Sequence, residues 1–232
     1  MARPVRTNPI SSPAVHIRWL ACLAALVVPG LGHAQGNVQD DDQGMGVLKV
    51  FMASQSYRDI TGKALSGIPP AIFTRCPTLV ARDSSVTILR PVSAGPQGSP
   101  ASGRWKQSFP VSGCGNDTVL NLYFSVAADG KPQAGATLPG TTLADPLLQR
   151  DALLYANLGA TRAVADCKNF LVIDTKAPAS SPPPGTGGGL KAPWSETWTL
   201  SGCSRKVDVR MDFIPDSTGT TIAPRDAVIR PD

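Results

Sequence analysis

Three features of this chain point to an α+β fold made of two copies of one unit, each a helix plus a small antiparallel sheet with a Trp-containing hairpin. The first is a repeat. Trp105 to Cys114 reads WKQSFPVSGC and Trp194 to Cys203 reads WSETWTLSGC, an offset of 89 residues. The offset persists without a gap: Leu120, Leu122 and Phe124 fall on Val209, Met211 and Phe213, and Gly130 falls on Gly219. The second is a set of four cysteines after the N-terminal leader, at matched gaps. The third is a helical apolar spacing over 145–158 set beside several period-two runs, the two signatures of helix and strand.

In chain order, residues 1–34 read as a signal peptide. Arg3, Arg6 and Arg18 form a basic leader with no acidic residue, and Trp19 to Pro29 is the apolar core. Small residues at Gly32 and Ala34 set cleavage after Ala34. Eleven apolar residues are too few for a bilayer span, which takes about 20. Cys22 precedes most of the apolar run, so it does not read as a lipidation site. The precursor carries a formal charge of +5. Without the leader, 19 basic and 17 acidic residues remain, a net of about +2. No basic stripe for nucleic acid is present.

Residues 35–46 (QGNVQDDDQGMG) read as a flexible N-terminal tail; Asp40, Asp41 and Asp42 lack the alternate spacing of a calcium loop. The first unit is expected over 47–138 and the second over 139–232. Residues 48–65 read as partly helical. The helix of the second unit is clearer: Asp145 caps it, Pro146 opens it, and Leu147, Leu148, Asp151, Leu154, Tyr155 and Leu158 follow at helical spacing. Gly159 reads as its C-cap.

A strand follows the first cysteine of each unit, PTLVARDSSVTILRPV after Cys76 and KNFLVIDT after Cys167. Asp83 and Asp174 each sit seven residues beyond that cysteine. Two low-complexity stretches, 93–103 and 176–193, then read as the same loop in two copies. The hairpins come next. Trp105, Gln107, Phe109 and Val111 share one strand face, as do Trp194, Glu196, Trp198 and Leu200. Asp129-Gly130 and Thr218-Gly219 mark the turns that follow. Residues 220–230 read as an edge strand that Pro224 limits.

An even cysteine count in an exported chain reads as disulfides. The duplication favours Cys76–Cys114 and Cys167–Cys203, which close loops of 38 and 36 residues, each worth about 4 kcal/mol in the chain-entropy model. A zinc site is disfavoured because no two cysteines are close in sequence.

The chemistry is narrow. Both histidines, His16 and His33, lie in the leader, and Glu196 is the one glutamate. A Ser-His-Asp triad is therefore excluded after cleavage. No catalytic residues, metal ligands or cofactor motif are assigned. Trp194 and Trp198, with Glu196 between them, form a candidate platform for stacking on a sugar or peptide; as large aromatics on a strand face they equally suit a core. Asn116-Asp117-Thr118 matches a glycosylation acceptor and equally a turn. The expected function is an exported, periplasmic or secreted, non-catalytic binding or envelope-assembly module. Its expected partner is a protein or glycan of the cell envelope, with no nucleic acid and no membrane span after cleavage. The alternatives are a secreted hydrolase using Asp with Ser or Lys, and a secreted inhibitor presenting the 176–193 loop.

Overall fold

The computed structural model describes residues 38–69, 72, 80–113, 117–178 and 191–231, with side chains from residue 42 onward. All of them belong to one compact unit, Gln35–Asp232. The fold is α+β, with three helices and two antiparallel sheets among the described residues.

The chain opens with α1 (Val38–Met52) and α2 (Gln55–Ser66). Ser54 separates them and caps α2, its hydroxyl oxygen accepting from Tyr57 N at 3.1 Å. Helix α1 begins inside the stretch expected as a flexible tail, which corrects that expectation for residues 38–46. Sequence hydropathy hid the reason. Gly44 is buried against the next sheet, where an added Cβ would lie 3.0 Å from Ile88 Cδ1. Small residues there let the helix approach closely.

The first sheet follows: β1 (Val80–Ala81), β2 (Ser85–Ala94), β3 (Pro100–Ser112), β4 (Thr118–Val126) and β5 (Pro132–Thr137). Strands β1 and β2 both pair with β3, and β4 and β5 complete the sheet. The stretch 93–103, expected as a loop, is instead the end of a hairpin. Ser93 pairs with Ser102, and a single 3₁₀ turn at Pro96–Gly98 joins the strands. Gln97 and Gly98 take positive φ (56° and 74°), which closes the turn in few residues.

Helix α3 (Pro146–Ala163) comes next. Asp145 caps it, its carboxylate accepting from Leu147 N and Leu148 N at 2.9 and 3.0 Å. Gly159 is not its C-cap. The helix continues to Ala163, and Gly159 is buried against β8 and β9, where a Cβ would lie 2.7 Å from Val209 Cγ1. The buried face is Gln149, Ala152, Ala156, Gly159 and Ala160. The large side chains expected to mark the inner face (Leu147, Leu154, Tyr155 and Leu158) are exposed instead.

The second sheet is β6 (Leu171–Lys176), β7 (Trp194–Gly202), β8 (Arg205–Pro215) and β9 (Thr220–Ile229), in that order. Pro224 sits in edge strand β9, beside a register shift. The two central hairpins share one register. Trp105 pairs with Phe124 and Phe109 with Leu120; Trp194 pairs with Phe213 and Trp198 with Val209. The flanking strands follow. Val80 opposes Ser112 as Leu171 opposes Ser201, and Phe124 opposes Ala134 as Phe213 opposes Ile222.

Each sheet has its own core. Leu48, Phe51, Trp105, Leu122 and Phe124 centre the first, and Trp198, Leu200, Val209, Met211 and Phe213 the second. Cys167 and Cys203 form a disulfide with Cα atoms 5.9 Å apart, tying the segment after α3 to the β7–β8 turn. Cys76 and Cys114 lie outside the described residues. No helix among the described residues is long and apolar enough to cross a membrane.

Candidate functional site

Period two places Trp194, Glu196 and Trp198 on the face of β7 that looks toward α3. The structure brings the three together, and Glu196 is the hub. Its Oε1 accepts from Trp194 Nε1 at 2.9 Å and from the backbone N–H of Leu143 at 2.8 Å. Its Oε2 accepts from Trp198 Nε1 at 2.8 Å. A carboxylate with 2 % exposure needs such donors, because burying it without them costs several kcal/mol. The contact to Leu143 also fixes the linker between the two sheets.

The rings divide in role. Trp198 is fully buried and packs tilted against Phe213, so it offers no face to a ligand. Of the three residues considered as a platform, Trp194 alone keeps appreciable exposed surface. Trp194 is only partly buried. It stacks on Phe213 with ring centroids 4.9 Å apart and planes 10° apart, and its indole N–H is held by Glu196.

The first sheet carries a matching arrangement with different chemistry. Trp105 stacks on Phe124 at 5.1 Å, and Phe51 of α1 meets Trp105 edge-on at 5.9 Å. Gln107 replaces the carboxylate. Its Oε1 accepts from Tyr57 O–H at 2.7 Å, and its Nε2 donates to Ser84 Oγ at 2.9 Å. Trp105 Nε1 finds no acceptor among the described residues. Burial pushes the Tyr57 phenol above its usual range. Burial likewise pushes the Lys106 ammonium down, a shift that the charge of Glu196 opposes.

The linker 138–142 joins the sheets through polar contacts. Asn121 Nδ2 donates to the carbonyls of Leu138 and Gly140 at 2.9 Å each, and Gly140 N donates to Val119 O at 2.7 Å. Thr141 N donates to Thr175 O at 2.7 Å, and Thr175 Oγ1 donates to Pro139 O. Gly140 has φ +98°, and a Cβ there would clash with the backbone of Thr175. A mostly apolar cleft of about 260 Å³ opens beside this linker, with Ile68, Leu120, Leu138, Leu153 and Val172 among its lining residues.

The face of the second sheet opposite Trp198 holds hydroxyl–carboxylate–cation sets. Thr199 Oγ1 donates to Asp208 (2.7 Å), which also accepts from Arg230 (2.7 Å). Ser195 Oγ donates to Asp212 (2.7 Å), which accepts from Arg225 (2.8 Å). The Ser195 hydroxyl, helped by the arginines, holds the Asp212 carboxyl below the usual carboxylate range. Thr118 Oγ1 donates to Asp174 at 2.9 Å, and burial raises the Asp174 carboxyl. Thr118 thus has a tertiary role at the seam. Asn116, the residue a glycan would modify, lies outside the described residues, as does most of the 176–193 loop.

Among the described residues no three His, Cys, Asp or Glu side chains gather as a metal site. Comparison with protein-family models, curated proteins and solved structures found no match to this chain.

Proposed function

We propose that this protein is an exported, non-catalytic binding or envelope-assembly module built from two copies of one unit, recognising a protein or glycan of the cell envelope. The observation that carries the reading is the Glu196 hub. The single glutamate of the chain accepts three N–H groups and leaves one indole, Trp194, fixed in place and partly exposed. A rigid aromatic held by a buried carboxylate suits recognition, since its orientation is set before any ligand arrives. The shared hairpin register and the stacked Trp–Phe pair in each sheet support the duplication. The Cys167–Cys203 disulfide supports an oxidising compartment.

The hydrolase alternative has less support. Its best Ser–Asp pair is Ser195–Asp212, where the carboxylate is a weakened base held by arginine. General-base catalysis favours a group whose pKa lies near the working pH. The test is a panel of peptide, ester and glycoside substrates, run beside affinity capture from the native envelope fraction. The reading expects stoichiometric capture of an envelope component and no turnover. Turnover abolished by Ser195→Ala or Asp212→Ala would overturn it.

A further inference from the structure

Helix α3 is apolar on two opposite sides. The side against its own sheet is made of Ala152, Ala156, Gly159 and Ala160, small enough for the helix to sit close on β8 and β9. Its large apolar side chains point the other way: Leu147 is 60 % exposed, Leu154 64 %, Leu158 47 % and Tyr155 38 %. At about 100° per residue, the two sets fall on opposite sides of the helix cylinder. All of α3 lies among the described residues. A surface helix ordinarily turns one apolar stripe inward and a polar face to water. Here a second apolar stripe stands in water, the mark of a surface that another molecule covers.

The spacing of the outer stripe says what covers it. Leu147, Asp151, Leu154 and Leu158 follow at steps of four, three and four residues, the spacing of seam positions in a coiled coil. The stripe is also its own complement. Set antiparallel to a second α3, with a two-fold axis at the level between Ala152 and Leu153, Leu147 meets Leu158 of the second copy and Asp151 meets Leu154 of the second copy. Each contact then occurs twice, as a two-fold interface requires. The one polar seam residue brings its own counter-charge. Asp151 Oδ1 accepts from Arg150 Nε and Nη2 at 3.2 Å each, so pairing adds no net charge to the seam. A single polar seam residue costs stability but fixes register and the number of partners.

We infer that the outer face of α3 is a self-association surface, and that two copies of this chain pair through antiparallel α3 helices. This goes beyond the binding-module reading and does not depend on it. Four seam layers cover less than the about 800 Å² per partner of a standard interface. The pairing is therefore weak, with a Kd expected at about 10–500 μM.

The test is sedimentation equilibrium of the full exported chain at up to about 1 mM. Isotope-filtered nuclear Overhauser effects in a mixture of ¹³C-labelled and unlabelled chains then map the contact. We expect a monomer–dimer equilibrium and contacts between the methyls of Leu147 and Leu158 of different copies. Leu154→Glu sets a second carboxylate against Asp151 of the other copy and should weaken pairing roughly tenfold or more. That side chain is mostly in water, so the far-ultraviolet circular dichroism should not change. Asp151→Leu should tighten the dimer roughly tenfold or more without exceeding two copies, a gain that loss of folding cannot mimic. A chain that stays monomeric to about 1 mM, whether or not it adsorbs to phospholipid vesicles, overturns the inference. So does self-association that Leu154→Glu leaves intact, or a contact pattern that joins Leu147 to Leu147 of the other copy.

Discussion

Replacing Trp198 with alanine asks whether this ring is core or ligand surface. The ring has no exposure, so the change removes about 150–250 Å² of buried aromatic surface. At about 25 cal/mol per Å² that is roughly 4–6 kcal/mol of transfer energy, and measured Trp→Ala core changes cost about 3–5 kcal/mol. The Oε2 atom of Glu196 also loses the indole donor now 2.8 Å away, a penalty of about 1–3 kcal/mol for a buried acceptor. We expect a loss of about 5 kcal/mol, a large part of the 5–15 kcal/mol that holds a typical domain together. Trp198→Phe separates the two contributions. It keeps a ring, as Phe109 does in the first hairpin, and should cost about 1–3 kcal/mol through the orphaned oxygen. Urea unfolding followed by far-ultraviolet circular dichroism measures both. A Trp198→Ala protein within about 1 kcal/mol of wild type would refute the core assignment.

Gly159→Ala should lower Tm. The new Cβ would press on Val209 Cγ1 at 2.7 Å, and overpacking of about 1–3 kcal/mol outweighs a helix-propensity gain of about 1 kcal/mol. Asp212→Asn should destabilise at neutral pH only. A carboxyl lowered by its hydrogen bonds contributes stability above its unfolded pKa and loses it as pH falls through the folded value. The wild-type advantage in chemical denaturation should therefore begin to shrink near the unfolded carboxyl pKa of about 4 and vanish only below the lowered folded value; an advantage unchanged down to the lowest pH at which the protein stays folded contradicts the cause. Non-reducing peptide mapping of the exported chain should return Gln35 as N-terminus and the pairs Cys76–Cys114 and Cys167–Cys203. A free thiol at Cys76 or Cys114 contradicts the pairing.

The hairpins were legible because period two leaves little choice. Trp105, Gln107, Phe109 and Val111 all face inward, and a one-residue slip would expose every one of them. The capped start of α3 was legible for the same reason, since Asp145-Pro146 has one good use. The inner face of α3 was not. Hydrophobic spacing weights large side chains, but this helix approaches its sheet through Ala152, Ala156, Gly159 and Ala160, leaving Leu147, Leu154 and Leu158 outside. The start of helix α1 is hidden in the same way: its Asp-rich, Gly-containing sequence has the pattern of a tail, and the contact that holds it is Gly44 against Ile88. At the candidate site, spacing brought Trp194, Glu196 and Trp198 to one face but could not divide their roles. The division depends on Leu143, 53 residues away in sequence, whose N–H Glu196 accepts, and on Phe213 of β8, against which both rings pack.

Cross-strand nuclear Overhauser effects between Hα protons read the shared register of the two hairpins directly. Close Hα pairs occur at the non-hydrogen-bonded positions of an antiparallel ladder. Every such pair between β3 and β4 should have a counterpart between β7 and β8 at an offset of 89 residues. The Trp105/Phe124 and Trp194/Phe213 positions should then behave alike. A second hairpin in which Trp194 opposes Asp212 or Ile214 instead of Phe213 would contradict it.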